Sequence, residues 1–326
     1  MSTATKNTIK YVIKRVILAL ITAFIIMFIS FILIKMLEPE VPMMGEQAAN
    51  ELARREALGY NKPVIVQFGI YLRNIITEWD WGTSWKIAYM KPVTEVISSR
   101  IIPTVILNIY STIFAIPVGI GLGIIAALNK NNWIDNFIST FVMIFASVPS
   151  FVYAFLLQYS LGFKAGLLPI IVASQHEAGG TWFSWIMFQS MIMPILSLSF
   201  GSIAGFARLT RAELVESLTS DYMLLARTKG LTQGQATVRH ALKNAMVPIL
   251  PSIVATFLSV MGGSLVIEKV FAINGMGGLL INSVQMRDYD VFVATTMFYT
   301  VIGLLANVVV DLSYGFLDPR IRIGER

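Results

Sequence analysis

The sequence contains no cysteine, only two histidines and few charged residues. A chain without cysteine forms no disulfides, has no thiol nucleophile and holds no cysteine-ligated metal. The two histidines, His176 and His240, are far apart and do not form the His-Glu-x-x-His pattern of zinc hydrolases. Charged residues make up 13% of the chain and hydrophobic residues 56%, whereas soluble domains carry about 25% charged residues. This composition predicts a polytopic membrane protein.

Three further absences narrow the function. The sequence has no Gly-x-x-x-x-Gly-Lys-Ser/Thr phosphate loop, so the chain does not bind ATP by that route. No acid or histidine falls at the middle of an apolar segment, and Glu268 and Asp311 lie near segment ends, which argues against a proton-coupled secondary transporter. Ser, His and Asp do not cluster in a nucleophile pattern, which argues against an intramembrane enzyme. Energy for transport would then come from another chain.

Apolar runs predict six transmembrane helices, at 16–34, 103–128, 133–161, 185–206, 245–266 and 291–314. A basic stretch precedes the first, and no small-residue cleavage site follows it, so we expect an uncleaved helix. Lys and Arg concentrate at the N-terminus, in 208–244 and in the tail, which predicts that these parts are cytoplasmic. The predicted class is all-α, in three parts: 1–34, cytoplasmic N-terminus and first helix; 35–100, extracytoplasmic; 101–326, a five-helix core.

The segment 208–244 is the most informative part of the chain. It holds six of the 25 basic residues between two apolar runs: Arg208, Arg211, Arg227, Lys229, Arg239 and Lys243. If one helix ran through its first half, Leu214, Val215, Leu218, Tyr222, Leu225 and Ala226 would form one apolar stripe. Met223 and Leu224 would point away from that stripe. The segment therefore predicts a short helix that is apolar on all sides, one side for its own protein and one for a partner.

Helix-ending signals follow within the same segment. Lys229 and Gly230 predict a helix end with a left-handed glycine. Thr232 with Gln235 predicts a capping box that opens a second helix. This helix–turn–helix pattern also resembles a DNA-binding motif, but its attachment to membrane spans at both ends disfavours nucleic-acid binding. A structural or docking role suits His240 better than catalysis.

These residues resemble the coupling loop of ABC-transporter permeases, in particular the B-type subunit of the oligopeptide, dipeptide and nickel importer branch. The matching pieces are 208–211, 221–222, 226–231 and 239–245. Others, in the same order, are 58–63, 82–84, 92–93, 148–151, Glu268-x-x-Phe271, Gly275-x-Gly277, Arg287-Asp288-Tyr289, Asp311-x-x-Tyr314 and 317–322. Departures are Leu224-Leu225 in place of Glu-Ala, Asn274 in place of proline, and Asp290 in place of proline.

The resemblance implies a type I ABC importer permease in a bacterial plasma (inner) membrane, with six spans and a cytoplasmic coupling helix. It also implies a second, homologous permease forming a heterodimer, two cytosolic ATPases that bind ATP and Mg²⁺, an extracytoplasmic binding protein and surrounding lipid. This chain itself would hold no cofactor or metal and catalyse nothing. The expected ATPase-coupling residues are Asp221, Tyr222, Met223, Leu224, Ala226, Arg227, Lys229, Gly230, Leu231 and His240.

The segment 271–290 is rich in glycine and polar residues, so we expect it to fold back as an outer gate or binding-protein seat, or to be a plain loop. The residues in question are Glu268, Phe271, Gly275, Gly277, Arg287, Asp288 and Tyr289. The expected substrate is an oligopeptide, with a dipeptide, nickel or another small solute as alternatives. A secondary transporter is the alternative of a different class.

Overall fold

A computed structural model describes residues 3–36, 46–57, 59, 61–259 and 264–317. Its helices are α1 (Thr3–Met36), α2 (Glu46–Ala57), α3 (Val64–Glu78), α4 (Val93–Leu128), α5 (Trp133–Ser147), α6 (Ser150–Leu157), α7 (Trp185–Leu218), α8 (Asp221–Thr228), α9 (Gln233–Ala236), α10 (Leu242–Ser259), α11 (Leu265–Val270), α12 (Met276–Gln285) and α13 (Tyr289–Leu317). Two π-helical turns follow α6 and α9, at Gln158–Lys164 and Thr237–Ala241. Two short antiparallel strands, β1 (Thr83–Ser84) and β2 (Lys91–Pro92), pair with each other. The all-α prediction is confirmed.

Four helical segments in the described residues are long and apolar enough to cross a membrane. They are Val12–Lys35, Val93–Leu128, Trp185–Leu218 and Tyr289–Val310. These match the predicted first, second, fourth and sixth spans. The predicted fifth span falls on α10, which contains Pro248 and Pro251, and on residues 260–263, which lie outside the described part of the chain.

The predicted third span is a bent pair of helices, not a straight rod. α5, α6 and the π-helical turn are long and apolar enough to cross a membrane only when taken together, and the chain bends by 99° between α5 and α6. The bend lies at Val148-Pro149, where Val148 has extended backbone angles. Proline disfavours the helical conformation of the residue before it and offers no backbone N–H, so the helix ends there.

The described residues form two compact units. The first comprises the described parts of Met1–Thr104, Met261–Leu265 and Asn274–Val308. One of its apolar clusters joins α1 to α3 and the start of α13, and Phe28 and Phe31 both meet Phe68 edge to face. A second cluster packs the start of α4 against α12 and α13 through Val93, Met276 and Val291. The sequence did not predict that 274–308 groups with the first hundred residues.

The second unit comprises the described parts of Val105–Val260, Val266–Ile273 and Val309–Arg326. Its largest cluster contains Met187, Met191 and Phe271. The glycines of α4 allow close helix packing at two positions. A Cβ at Gly119 would lie 2.8 Å from the carbonyl oxygen of Ile203, and one at Gly123 would lie 2.6 Å from that of Ala207. The Gly201-x-x-x-Gly205 pair, also a packing signal, has open space at both glycines.

Candidate functional site

The helix α7 extends beyond its predicted span and leads directly into the segment 208–244. It ends at Leu218, and Thr219 and Ser220 separate it from α8. Asp221 lies in the first turn of α8 and Arg227 in its last turn. Both charges complement the helix dipole. A short, separately capped helix therefore stands where the coupling helix was predicted.

The predicted end of α8 is confirmed. Lys229 is its C-terminal cap, and Gly230 has a φ of +90°. The amide of Leu231 donates to the carbonyl oxygen of Ala226, which closes the turn. Thr232 and Gln235 form the predicted capping box, each side chain bonding to the other residue's backbone N–H. The second helix is only one turn long before the π-helical turn leads into α10.

The two faces of α8 differ from the prediction. Met223, at 5% exposure, and Ala226 pack into a cluster with Leu214, Ala236 and Ala241. On the other side Leu224 is 66% and Leu225 55% exposed, beside the half-exposed ring of Tyr222. The prediction that Met223 points away from the chain's own core is wrong, as is the placement of Leu225 in the inward stripe. The break at 219–220 resets the helical phase, so positions before and after it do not share one stripe.

The other predicted coupling residues lie mostly at the surface. Asp221, Arg227, Lys229, Gly230 and His240 are exposed, and Leu231 packs against the edge of the inner cluster. Burial of the Tyr222 ring would raise its pKa, but side-chain hydrogen bonds with Ser217, Ser220 and Asn244 outweigh this and lower the pKa below its usual value. Tyr222 thus connects the end of α7 to the start of α10.

An ion pair that the sequence analysis missed lies at the base of this segment. Arg211 donates from Nε to Oδ1 of Asp135 at 2.6 Å and from Nη2 to Oδ2 at 2.7 Å. Asp135 is in the first turn of α5 and 1% exposed. It also accepts from the Asn131 amide and the Ser139 hydroxyl. The partners are 76 positions apart, and no local spacing rule could have paired them.

In the first unit, two of the recognised sequence pieces come together. Ser84, Lys86 and Ile87 all donate to one carboxylate oxygen of Asp288, from the Ser84 hydroxyl and the two backbone amides. The Thr83 amide donates to Asp290. Gly82, with a φ of +94°, lies so close to the Asp290 carboxylate that a Cβ would collide with it. Glycine is therefore required at 82 by the Asp290 carboxylate, and Asp288 separately anchors residues 84–87.

The segment 271–290 is not a plain loop, since it contains the ten-residue helix α12. Gly275 caps that helix, and Met276 donates its amide to the Thr104 hydroxyl. Among the predicted outer residues of this unit, Asp288 and Tyr289 are buried, Gly275 and Gly277 are covered or half-covered, and Arg287 is exposed. The burial of most of this set favours a supporting role over a direct contact, and Arg287 is the member at the surface.

Glu268 and Phe271 belong to the second unit and are buried there. The backbone carbonyl of Phe271 accepts from the Val172 amide, and that of Glu268 accepts from the Ile273 amide. Both residues therefore hold the turn after α11 in place. Within the described ranges, no group of three or more His, Asp or Glu side chains could hold a metal ion.

Comparison with known proteins gives consistent results. A family profile described as "Binding-protein-dependent transport system inner membrane component" matches residues 119–323. A second, described as "Binding-prot-dependent transport system membrane comp, N-term", matches residues 8–107. Together they match at least part of every helix from α1 to α13, and they include the whole 208–244 segment.

Individual relatives agree over nearly the whole length. The chain is 35% identical over 304 residues to the dipeptide transport system permease protein DppB of Bacillus subtilis, covering 91% of this chain and 93% of the relative. It is 36% identical over 296 residues to the glutathione transport system permease protein GsiC of Escherichia coli K12, covering 90% and 92%. A solved amino acid ABC transporter with histidines has a similar fold, with a TM-score of 0.54 and 17% identity over 68% of this chain and 94% of that chain.

Proposed function

The chain belongs to the family of binding-protein-dependent transport system inner membrane components, and from that premise we propose that it is the pore subunit of an ATP-driven importer of oligopeptides. A permease of this family is a transport component and not a catalytic enzyme. It resides in the bacterial inner membrane as a multi-pass protein, in agreement with the apolar helices α1, α4, α7 and α13.

The proposed substrate class is the short peptide. Two relatives that align over about nine-tenths of the chain are named for a dipeptide and for glutathione, which is itself a tripeptide. Dipeptides are therefore the nearest alternative, and nickel or another small solute is the next. A secondary transporter is not favoured, because the chain aligns along its length with permeases of binding-protein-dependent systems.

The proposed source of energy is a pair of cytosolic ATPase subunits that bind ATP and Mg²⁺ and dock on α8. The observation that carries this proposal is that one face of α8 is buried in the chain's own core while the opposite face is apolar and exposed. Met223 and Ala226 fasten α8 to its own protein, while Tyr222, Leu224 and Leu225 offer an apolar outer face in a polar segment. A short amphipathic helix of this kind suits a hydrophobic groove on a partner. Arg227 and Lys229 stand at the rim of the surface.

The remaining proposed partners are a second, homologous permease and an extracytoplasmic binding protein that delivers the peptide. We place the binding-protein contact on the exposed surface around Arg287, with the buried Asp288 and Tyr289 beneath it as support. We assign no cofactor to the chain itself.

Reconstitution in liposomes tests the proposal. The chain is combined with its second permease, the two ATPases and the binding protein, and uptake of a radiolabelled tripeptide is compared with uptake of a dipeptide and of nickel-63. We expect peptide uptake that requires both the binding protein and ATP. Uptake driven by a proton gradient without ATP would contradict the proposal. Selective, ATP-dependent nickel uptake would show that the proposed substrate is wrong and that the proposed energy source is right.

A further inference from the structure

The ion pair between Asp135 and Arg211 fixes the relative orientation of the two side chains in addition to neutralising their charges. The guanidinium bonds both carboxylate oxygens at once, through Nε at 2.6 Å and Nη2 at 2.7 Å. Such a fork-on-fork contact fixes the relative orientation of the two side chains, which a lysine ammonium cannot do. Asn131 and Ser139 hold the carboxylate from the α5 side. The pair therefore ties the first turn of α5 to one orientation of α7.

The two partners of the ion pair lie on helices that lead to different features of the fold. Arg211 lies about two turns before the end of α7 at Leu218, after which the helix breaks and α8 begins. Asp135 lies at the beginning of α5, whose far end is the 99° bend into α6. The pair thus joins the helix that carries α8 to the helix that leads to the bend.

Close contacts with α4 and α8 hold α7 firmly in the part of the helix that leads to α8. Gly119 and Gly123 bring the backbone of α4 against α7 without room for a Cβ. Met223 of α8 packs into the same cluster as Leu214 of α7 and Ala127 of α4. A displacement of α8 therefore carries α7 and α4 with it by close packing.

The beginning of α5 is held differently. Ile138 and Val142 pack against α7 near Ala204 and Ala207, and the cleft between these helices remains partly open around Ser139, Met143 and Arg208. The helices α5 and α7 pack extensively, but apolar contacts are non-directional, whereas the bidentate pair fixes the relative orientation of the two helices. A buried ion pair is weak evidence for stability, and in some proteins such a pair instead specifies one arrangement of the chain.

We infer that the Asp135–Arg211 pair is a positioning device that transmits the movement of α8 to α5 and to the bend at Val148-Pro149. The inference rests on the proposed function, because it assigns to α8 a movement driven by bound ATPases. In the intact pair α8 and α5 move as one body. When the bidentate contact is lost, α8 moves while α5 stays behind.

Distance measurements between spin labels test the inference directly. The chain has no cysteine, so Asn136→Cys on α5 and Thr228→Cys on α8, both exposed, label two defined points. The assembled complex, with partner subunits freed of reactive cysteines, is measured without nucleotide and with ATP and vanadate. In the native chain, we expect the distance between the two labels to be the same in both nucleotide states. In Arg211→Lys, we expect this distance to differ between the two states by several ångströms. A shift in the native complex, or none in the variant, would overturn the inference.

Three further variants separate positioning from folding. Arg208→Lys is the matched control, since Arg208 lies one turn earlier on α7 and is exposed. Asp135→Asn with Arg211→Gln removes both charges and leaves no unpaired buried ion, which keeps the test available if Arg211→Lys fails to assemble. Asp135→Arg with Arg211→Asp restores the pair in reverse.

The same variants are compared by peptide transported per ATP hydrolysed. We expect this ratio to fall at least fivefold in Arg211→Lys and in the neutral pair, to recover in part in the reversed pair, and to be unchanged in Arg208→Lys. An equal fall in Arg208→Lys, or a native ratio in the neutral pair, would refute the inference. Failure of the native chain to bind ATPases would instead refute the proposed function.

Discussion

The hydroxyl of Ser84 donates a 2.6 Å hydrogen bond to Oδ2 of Asp288, 204 positions further along the chain, and both side chains are buried. The same oxygen accepts the amides of Lys86 and Ile87. One carboxylate therefore organises the turn between β1 and β2 and attaches it to the beginning of α13. Ser84 and Asp288 belong to two separate sequence pieces that resemble the family, and their hydrogen bond shows that the two pieces stabilise one local structure.

Substitution of Asp288 should destabilise the first unit. Asp288→Ala leaves the buried Ser84 hydroxyl and two partly buried amides without their acceptor, and an unsatisfied buried group costs about 1–3 kcal/mol. We expect a loss of about 2–5 kcal/mol, measured as a lower melting temperature of the detergent-purified chain. Ser84→Ala removes one donor only and should cost about 1–2 kcal/mol. An equal effect of both variants would contradict the central role of the carboxylate.

The glycines of α4 offer a test of the helix packing with a control in the same helix. Gly123→Ala places a Cβ 2.6 Å from the carbonyl oxygen of Ala207, so α7 must shift, and overpacking of this kind costs about 1–3 kcal/mol. At Gly121 no atom lies within 4 Å of a new Cβ. Gly121→Ala should therefore leave the melting temperature unchanged or raise it slightly. Equal melting temperatures for the two variants would disprove the close approach.

Substitutions at two adjacent residues of α8 should distinguish effects on partner binding from effects on folding. Leu224 is exposed and Met223 is buried in the chain's own cluster. Burying a leucine-sized side chain contributes about 1.5–3 kcal/mol, and an aspartate there adds the cost of desolvating a charge. Leu224→Asp should therefore weaken ATPase co-purification at least tenfold and leave the melting temperature of the permease alone unchanged.

Met223→Ala should show the opposite pattern. Loss of a buried methionine side chain costs about 2–5 kcal/mol, so the permease alone should melt earlier. Arg227→Ala, at the exposed rim, should change ATPase binding little, because solvent-exposed ion pairs contribute only about 0–1 kcal/mol. If the ATPases remain bound to a well-folded Leu224→Asp variant, the assigned surface of α8 is wrong.

The predicted topology can be checked by labelling single cysteines with a membrane-impermeant thiol reagent in intact cells. Thr77→Cys at the end of α3 and Thr232→Cys after α8 are both exposed sites. We expect labelling at 77 without permeabilisation and at 232 only after it, since 35–100 is predicted outside and 208–244 inside. The reverse pattern would invert the assignment. Ser84 is unsuitable for this purpose because it is buried.

Local signals in the sequence were enough for several elements. The capping box at Thr232 and the left-handed glycine at 230 depend on neighbouring residues alone, and both are present as predicted. The first, second, fourth and sixth apolar runs could be recognised because a span needs only length and hydrophobicity. The alignment of many short pieces in one order led to the family, which the family profiles confirm.

Other features depend on contacts that no local pattern encodes. The inward face of α8 was assigned wrongly because two residues, Thr219 and Ser220, interrupt the helix and reset its phase. Proline near the middle of the third apolar run was visible, but the 99° bend that it permits was not. The amino-acid sequence by itself determined that this is a membrane permease with a short helix in the polar segment 208–244. Only the tertiary structure decided that Leu224 and Leu225 face outward, that Ser84 meets Asp288 and that Arg211 meets Asp135, since each depends on where residues distant in sequence come to lie.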